Sequence, residues 1–148
     1  MADKREQILE RLQAVAGGVV GVVTSERNHV DFSDSQLPAV SVLEGDESTS
    51  ESDDGRGRPP SRPYIVTMLP QVFIRARQDD VKIGTRLNTL RSAIVKSVLA
   101  DAELLALTKD GSSIRYNGLE STLHAGRSMI GASALVFSIT YVLIPSDL

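Results

Sequence analysis

The 148-residue sequence has no cysteine, no tryptophan, two histidines, and only three tyrosines and three phenylalanines. Without cysteine there are no disulfides, no thiolate zinc or iron–sulfur ligands and no cysteine nucleophile, and cysteine usage says nothing about redox compartment. His29 and His124 stand in none of the His-x-His, His-x-x-x-His or His-Glu-x-x-His spacings that bring two imidazoles to one metal, so both read as polar loop residues. Long apolar runs are missing too. The longest, Ala132 to Ile144, is interrupted by Ser133, Ser138 and Thr140 and is shorter than the ~20 residues a membrane helix needs. The opening Met-Ala-Asp-Lys-Arg-Glu-Gln is charged and lacks the apolar region of a signal peptide, which predicts a site of assembly in the cytoplasm and no membrane partner. Sixteen basic against 19 acidic residues give a net charge of -3, with no overall nucleic-acid signature.

What is present is 41% hydrophobic and 24% charged residues, the make-up of one soluble domain spanning 1–148 with a core that needs no staples. Asp3, with Glu6 three residues on as in a capping box, opens a helix with Ile8, Leu9, Leu12 and Val15 at helical spacing, which Gly17-Gly18 ends. The β-branched run from Gly18 to Ser25 predicts a buried strand, the stretch Glu26 to Gln36 a polar loop, and Pro38 to Leu43 a short strand. Composition then shifts. Glu44 to Asp54 holds six acids and no base, and Arg56, Arg58 and Arg62 follow among glycines and prolines. So little apolar surface predicts a mobile insertion over about 47–62.

Tyr64 to Arg77 alternates as a strand, with Pro70 predicting an edge position or a bulge. From Asp80 or Thr85 to Leu99, Ile83, Leu87, Leu90, Ile94 and Val98 form one helical stripe. Asp101 caps a short helix to Leu107. Ser113 to Tyr116 reads as a short strand, Leu119 to Gly131 as a loop or irregular strand, and Ala132 to Ile144 as a long central strand. The order predicts an α+β fold: a mainly antiparallel or mixed sheet with two to three helices packed on one face.

Catalytic chemistry finds no constellation in this pattern. Asp79-Asp80 stands at a strand-to-helix junction, where acids favour a helix start, and Asp53-Asp54 lies in the insertion. Gly17-Gly18-Val-Val-Gly21 precedes a strand and opens no helix, so it offers no amides to a phosphate. There is no Gly-x-Ser-x-Gly elbow. The sequence therefore assigns no catalytic residue, no metal ligand and no cofactor. Charge separation is the stronger signal. Lys82, Arg86 and Lys96 share one helical face, Arg75 and Arg77 end the preceding strand, and Glu44, Asp46 and Glu47 lie in the acidic run. A solvated face is one reading; the other is that these bases meet the acids of a neighbouring subunit. No aromatics interleave with the bases, which argues against direct nucleic-acid binding.

The whole pattern resembles a family. A short helix (Arg5, Ile8, Leu9, Leu12) leads to a strand, then to Leu37-Pro38-Ala39-Val40-Ser41-Val42 and Glu44-Gly45-Asp46-Glu47. An insertion and a further strand follow, then a helix with Leu87-Asn88-Thr89-Leu90-Arg91, then Asp101-Ala-Glu-Leu-Leu-Ala-Leu107. The chain closes on Leu135-Val-Phe-Ser-Ile-Thr-Tyr141-Val. From about Arg5 to Pro145 this resembles the tail terminator proteins of long-tailed bacteriophages, prophages and phage-like particles, the minor tail protein U type. The resemblance implies a small ring-forming virion protein without catalytic residues, usually a hexamer, at the head-proximal end of the tail. There it would stop polymerisation of tail tube protein and present a surface to the head connector or neck protein. Neck and head-completion proteins share the size and layout and are the alternative.

Overall fold

Asp3 begins the first helix, as its carboxylate accepts a hydrogen bond from the Arg5 backbone N–H. Helix α1 runs Lys4–Gly17 and buries Ile8, Leu9, Leu12 and Ala16. Glu6 does not complete a capping box; it turns to Arg27 in a two-pronged ion pair at 2.6 and 3.0 Å. In the computed structural model residues 3–49, 62–77, 82–121 and 131–148 are described. After α1 come strands β1 (Thr24–Arg27), β2 (Ala39–Leu43), β3 (Glu47–Thr49), β4 (Tyr64–Met68) and β5 (Gln71–Arg75), helices α2 (Ile83–Ala100) and α3 (Ala102–Ala106), and strands β6 (Ile114–Ser121) and β7 (Ala132–Leu143). The result is a single α+β domain, with three helices on one face of an open, mixed, seven-stranded sheet. Among the described strands only the β1–β2 pair is parallel.

The seven segments behave as five strands. Met68 lies opposite Ile139 and Gln71 opposite Val136, so β4 and β5 run along β7 in one unbroken register. Pro70 therefore sits inside the sheet, with its carbonyl accepting from the Phe137 N–H at 3.0 Å. The bulge expected at Pro70 is in the facing strand. Leu43 opposes Gln71 and Glu47 opposes Met68, so three residues, Glu44, Gly45 and Asp46, face two, Leu69 and Pro70. Proline offers no N–H to the ladder, and the extra residue lets the facing strand pass that gap.

Two other expectations are corrected. The predicted strand from Gly18 to Ser25 is mostly a turn: Gly21 has φ +98°, Val20 and Val23 are exposed, and β1 begins only at Thr24. A β-branched run promotes a strand only where it is buried on the pleat, and these valines are not. The predicted mobile insertion loses its first three residues, because Glu47–Thr49 pair with Val66–Met68 as β3; positions 50–61 lie outside the described residues. The strand predicted from Ser113 to Tyr116 extends through a bulge at Asn117 to Ser121, with Gly118 at φ +132°.

The core forms between the helices and the facing side of the sheet. Leu87, Leu90, Ile94 and Val98 of α2 and the buried residues of α1 cover Val40, Val42, Val66, Met68, Val72, Ile74, Leu135, Phe137, Ile139 and Tyr141. Every residue of the stripe read from the sequence of α2 is buried. The helical layer is tied by Arg11, whose Nε and Nη2 donate to Asp101 at 2.8 and 2.7 Å while the Asp101 carboxylate also caps α3 through the Leu104 N–H. Hydrogen bonding from Arg11 holds the Asp101 carboxyl below its ordinary value of 3.8. A depressed carboxyl stabilises the fold above its unfolded-state value, and that contribution disappears as pH falls through the lower folded-state value. Asp101→Asn is therefore expected to lower the urea midpoint at pH 7, with the gap to the parent closing on acidification below about pH 4; urea titrations across that range check it.

Candidate functional site

The bulge at Glu44–Asp46 gathers the acidic residues singled out in the sequence. Gly45 has φ +67°, and a Cβ there would lie 2.0 Å from the Leu69 carbonyl oxygen, so only glycine lets the two strands approach. The Leu69 N–H donates to the Asp46 carbonyl at 2.8 Å. Glu47 then starts β3 over the end of β7, where its Oε1 accepts from the buried Tyr141 hydroxyl at 2.6 Å and from Arg5 at 3.1 Å. Burial first, and the Glu47 carboxylate second, push the Tyr141 hydroxyl above its ordinary value, so it stays protonated and donates. Glu44 lies 3.4 Å from Arg27 and 3.8 Å from Arg5, and its carboxylate also accepts from Asn28.

Of the acids read as facing either solvent or a neighbour's bases, Glu44 and Glu47 pair within the chain with Arg5 and Arg27. Charges so engaged have little left to offer across an interface. Asp46 is different, being exposed and without an ion pair among the described residues.

The five predicted bases do not form one patch. Arg75 ends β5 on the sheet face away from the helices, where its Nη1 donates to the Val30 carbonyl at 3.3 Å and its Nε is buried without a partner. Arg77 follows it and is exposed. Lys82 and Arg86 lie on the helical layer, lining a cleft of about 270 Å3 with Val20, Pro38 and Leu90. Lys96, also exposed, is ten residues from Arg86, about 15 Å along the helix axis. The structure thus joins Lys82 to Arg86, places the exposed Val20 beside them, and sets Arg75 and Lys96 apart.

Other candidates gather less. His29 stacks edge-on against Phe32, and its backbone N–H donates to the buried Ser41 hydroxyl. His124, Asp79, Asp80, Asp53 and Asp54 lie outside the described residues. Among the described residues no group of three His, Cys, Asp or Glu side chains is placed to hold a metal ion, and no helix is long and apolar enough to cross a membrane.

A surface missed in the sequence is the open side of the sheet. Ile65, Thr67, Gln71, Ala134, Val136, Ser138, Thr140 and Val142 share it, all partly buried and none charged. The loop between β1 and β2 covers one end, packing Phe32 and Leu37 on Ala39 and Phe73. The absence of charge from alternate positions of β7 was the available signal, because a solvated strand face normally carries some.

Against known proteins, no family model matches this chain, and a search of curated proteins gives no match.

The bulge gives a paired test of backbone constraint. Gly45→Ala combines left-handed strain with a backbone collision and is expected to cost about 2 kcal/mol or more, whereas Gly21→Ala, with open space around it, should cost about 1 kcal/mol. Thermal and urea unfolding of the two variants check the order.

Proposed function

We propose that this chain is a structural assembly subunit of a long-tailed phage, prophage or phage-like particle, of the tail-terminator type. It caps the head-proximal end of the tail tube as a closed ring, with six copies as the resemblance implies. It stops addition of tube protein and offers a surface to the head connector or neck protein. Its partners are other copies of itself, tube protein and connector; it acts in the virion and carries no catalytic residue.

The observation that carries this reading is the uncharged middle of the sheet's open side, along β7 and the facing parts of β2, β4 and β5; charge returns only at its margins, with Arg115 and Glu120 on β6, Arg75 at the end of β5 and Glu26 on β1. A lone domain gains nothing by keeping charge from a face exposed to water, whereas interface centres are depleted in charge and bounded by a polar rim. Arg75 and Arg115 stand at the margins of this face as such a rim. Closed rings are built from head-to-tail contacts between two different patches of each subunit. The Val20, Lys82 and Arg86 cleft is one such patch, and Asp46, at the bulge, is the acid left to face it. Segments resembling the tail terminators extend through the same elements, from Arg5 to Pro145.

Electron microscopy of particles from which the chain has been deleted is the functional test. Over-long tails support the terminator; tails of normal length beside unattached heads indicate the neck or head-completion protein instead. Normal particles contradict both. At the contact itself, Arg86→Glu should reduce the assembled fraction in native mass measurements while shifting stability by no more than about 0.5 kcal/mol, and adding Asp46→Arg should restore assembly. An Arg86→Glu chain that assembles unchanged places this cleft outside the ring contact.

A further inference from the structure

At one end of the open sheet face is a cleft of about 520 Å3 whose lining residues are all polar or charged. Three elements build it. Thr67 of β4 and Thr140 of β7 are cross-strand partners, their hydroxyls 2.9 Å apart. Ser138 of β7 lies opposite Arg115 of β6. The connection from α3 to β6 is pinned alongside, the Lys109 N–H donating to the Thr140 carbonyl at 2.9 Å and the Thr140 N–H to the Ser113 carbonyl at 3.0 Å. Lys109 and Ser113 are thereby held at the cleft.

The charges there are unbalanced. Neither Lys109 nor Arg115 has an ion pair among the described residues. The one acid at the cleft, Asp110, is turned to its own loop, where its Oδ1 accepts from the Ser112 N–H, the Ser112 hydroxyl and the Ser113 hydroxyl. Those bonds hold the Asp110 carboxyl below its ordinary value, so it stays ionised with its Oδ1 directed at its own loop, and Lys109 and Arg115 together leave the cleft with a net positive charge.

We propose that this cleft binds an oxyanion of the phosphate class. Arg115 supplies a planar fork of donors from β6, Lys109 a point charge from the preceding loop, and Thr67, Ser138 and Thr140 hydroxyls from the sheet floor. Donors arriving from three elements in different directions suit a tetrahedral anion, which presents oxygens on every side, better than a planar carboxylate. The proposal does not depend on the tail-terminator reading, although Thr67, Ser138 and Thr140 belong to the same open sheet face, and its cleft lies on the opposite side of the sheet from Lys82 and Arg86.

The experiment is an amide NMR titration of the full chain with inorganic phosphate and, separately, with a short oligothymidylate, each at constant ionic strength against sodium chloride. Saturable shifts centred on Lys109, Ser113, Ser138 and Thr140 are expected. They should weaken at least about tenfold in Lys109→Gln/Arg115→Gln and persist in Lys96→Gln, which removes an exposed base elsewhere. Tighter binding of the oligothymidylate at the same amides assigns the phosphate to a nucleic-acid backbone, and tighter binding of inorganic phosphate assigns it to a small solute. Shifts no larger than those from chloride, or shifts unchanged in the double variant, overturn the proposal. The single variant Arg115→Gln decides the matter if the double variant does not fold.

Discussion

The fold depends on one strand. The twelve-residue β7 is flanked by the continuous β4–β5 strand along its length and by β6 from Ser133 to Ile139. The strand's two-residue period sorts the whole domain into sides. Leu135, Phe137, Ile139 and Tyr141 are buried beneath α1 and α2, while Val136, Ser138, Thr140 and Val142 face the open side. A slip of one residue would exchange the two sets, so the apolar core enforces the register and the register in turn fixes the composition of the open face. Pro70 follows from the same constraint. It must lie in the strand beside β7, and the strand beyond it accommodates the missing donor by a bulge that only Gly45 can turn.

That bulge links packing to charge. It carries Glu44 and Glu47 over the ends of α1 and β7, where Arg5, Arg27 and the Tyr141 hydroxyl meet them, and so ties the edge segment β3 to the helical layer. The ion pairs are partly exposed and individually contribute little. Their joint effect is positional, since one network spans α1, β1, β3 and β7. Beside this network the described surface offers the open sheet face with its uncharged middle, the Val20 cleft on the helical side and the polar cleft beside β6. A domain with three such surfaces is suited to making several different contacts at once, as a subunit between a tube and a connector must.

Local signals in the sequence were read well where burial followed period. Asp3 and Asp101 as caps, the α2 stripe from Ile83 to Val98, Pro38 to Leu43 as a strand and the alternation in β7 all came from local residue type and spacing, and the mainly antiparallel or mixed sheet with helices on one face followed from their order. Failures were of long range. Gly18 to Ser25 has strand composition, yet before Thr24 the described contact with β2's side is a single bond, from the Val23 N–H to the Pro38 carbonyl. Glu47–Thr49 has the composition of a solvated loop, yet Val66–Met68 offers it a ladder. Glu47 is 42 residues from Arg5 and 94 from Tyr141, so no window of sequence reveals that its charge is already used. Lys96 shares a helical face with Lys82 and Arg86, but angular spacing says nothing of the distance along the axis that separates it from them, and Arg75, at the end of the preceding strand, lies on the other side of the sheet.

As the tail terminator we propose, this chain would end a growing polymer. The most direct measurement of that role is an in vitro growth assay, in which tube protein from the same particle polymerises in the presence of increasing amounts of the purified chain, with tube lengths and label positions read by electron microscopy. The account predicts tubes that shorten as the ratio of chain to tube protein rises, with label at one end only. Tubes of unchanged length, or label distributed along their sides, would contradict it.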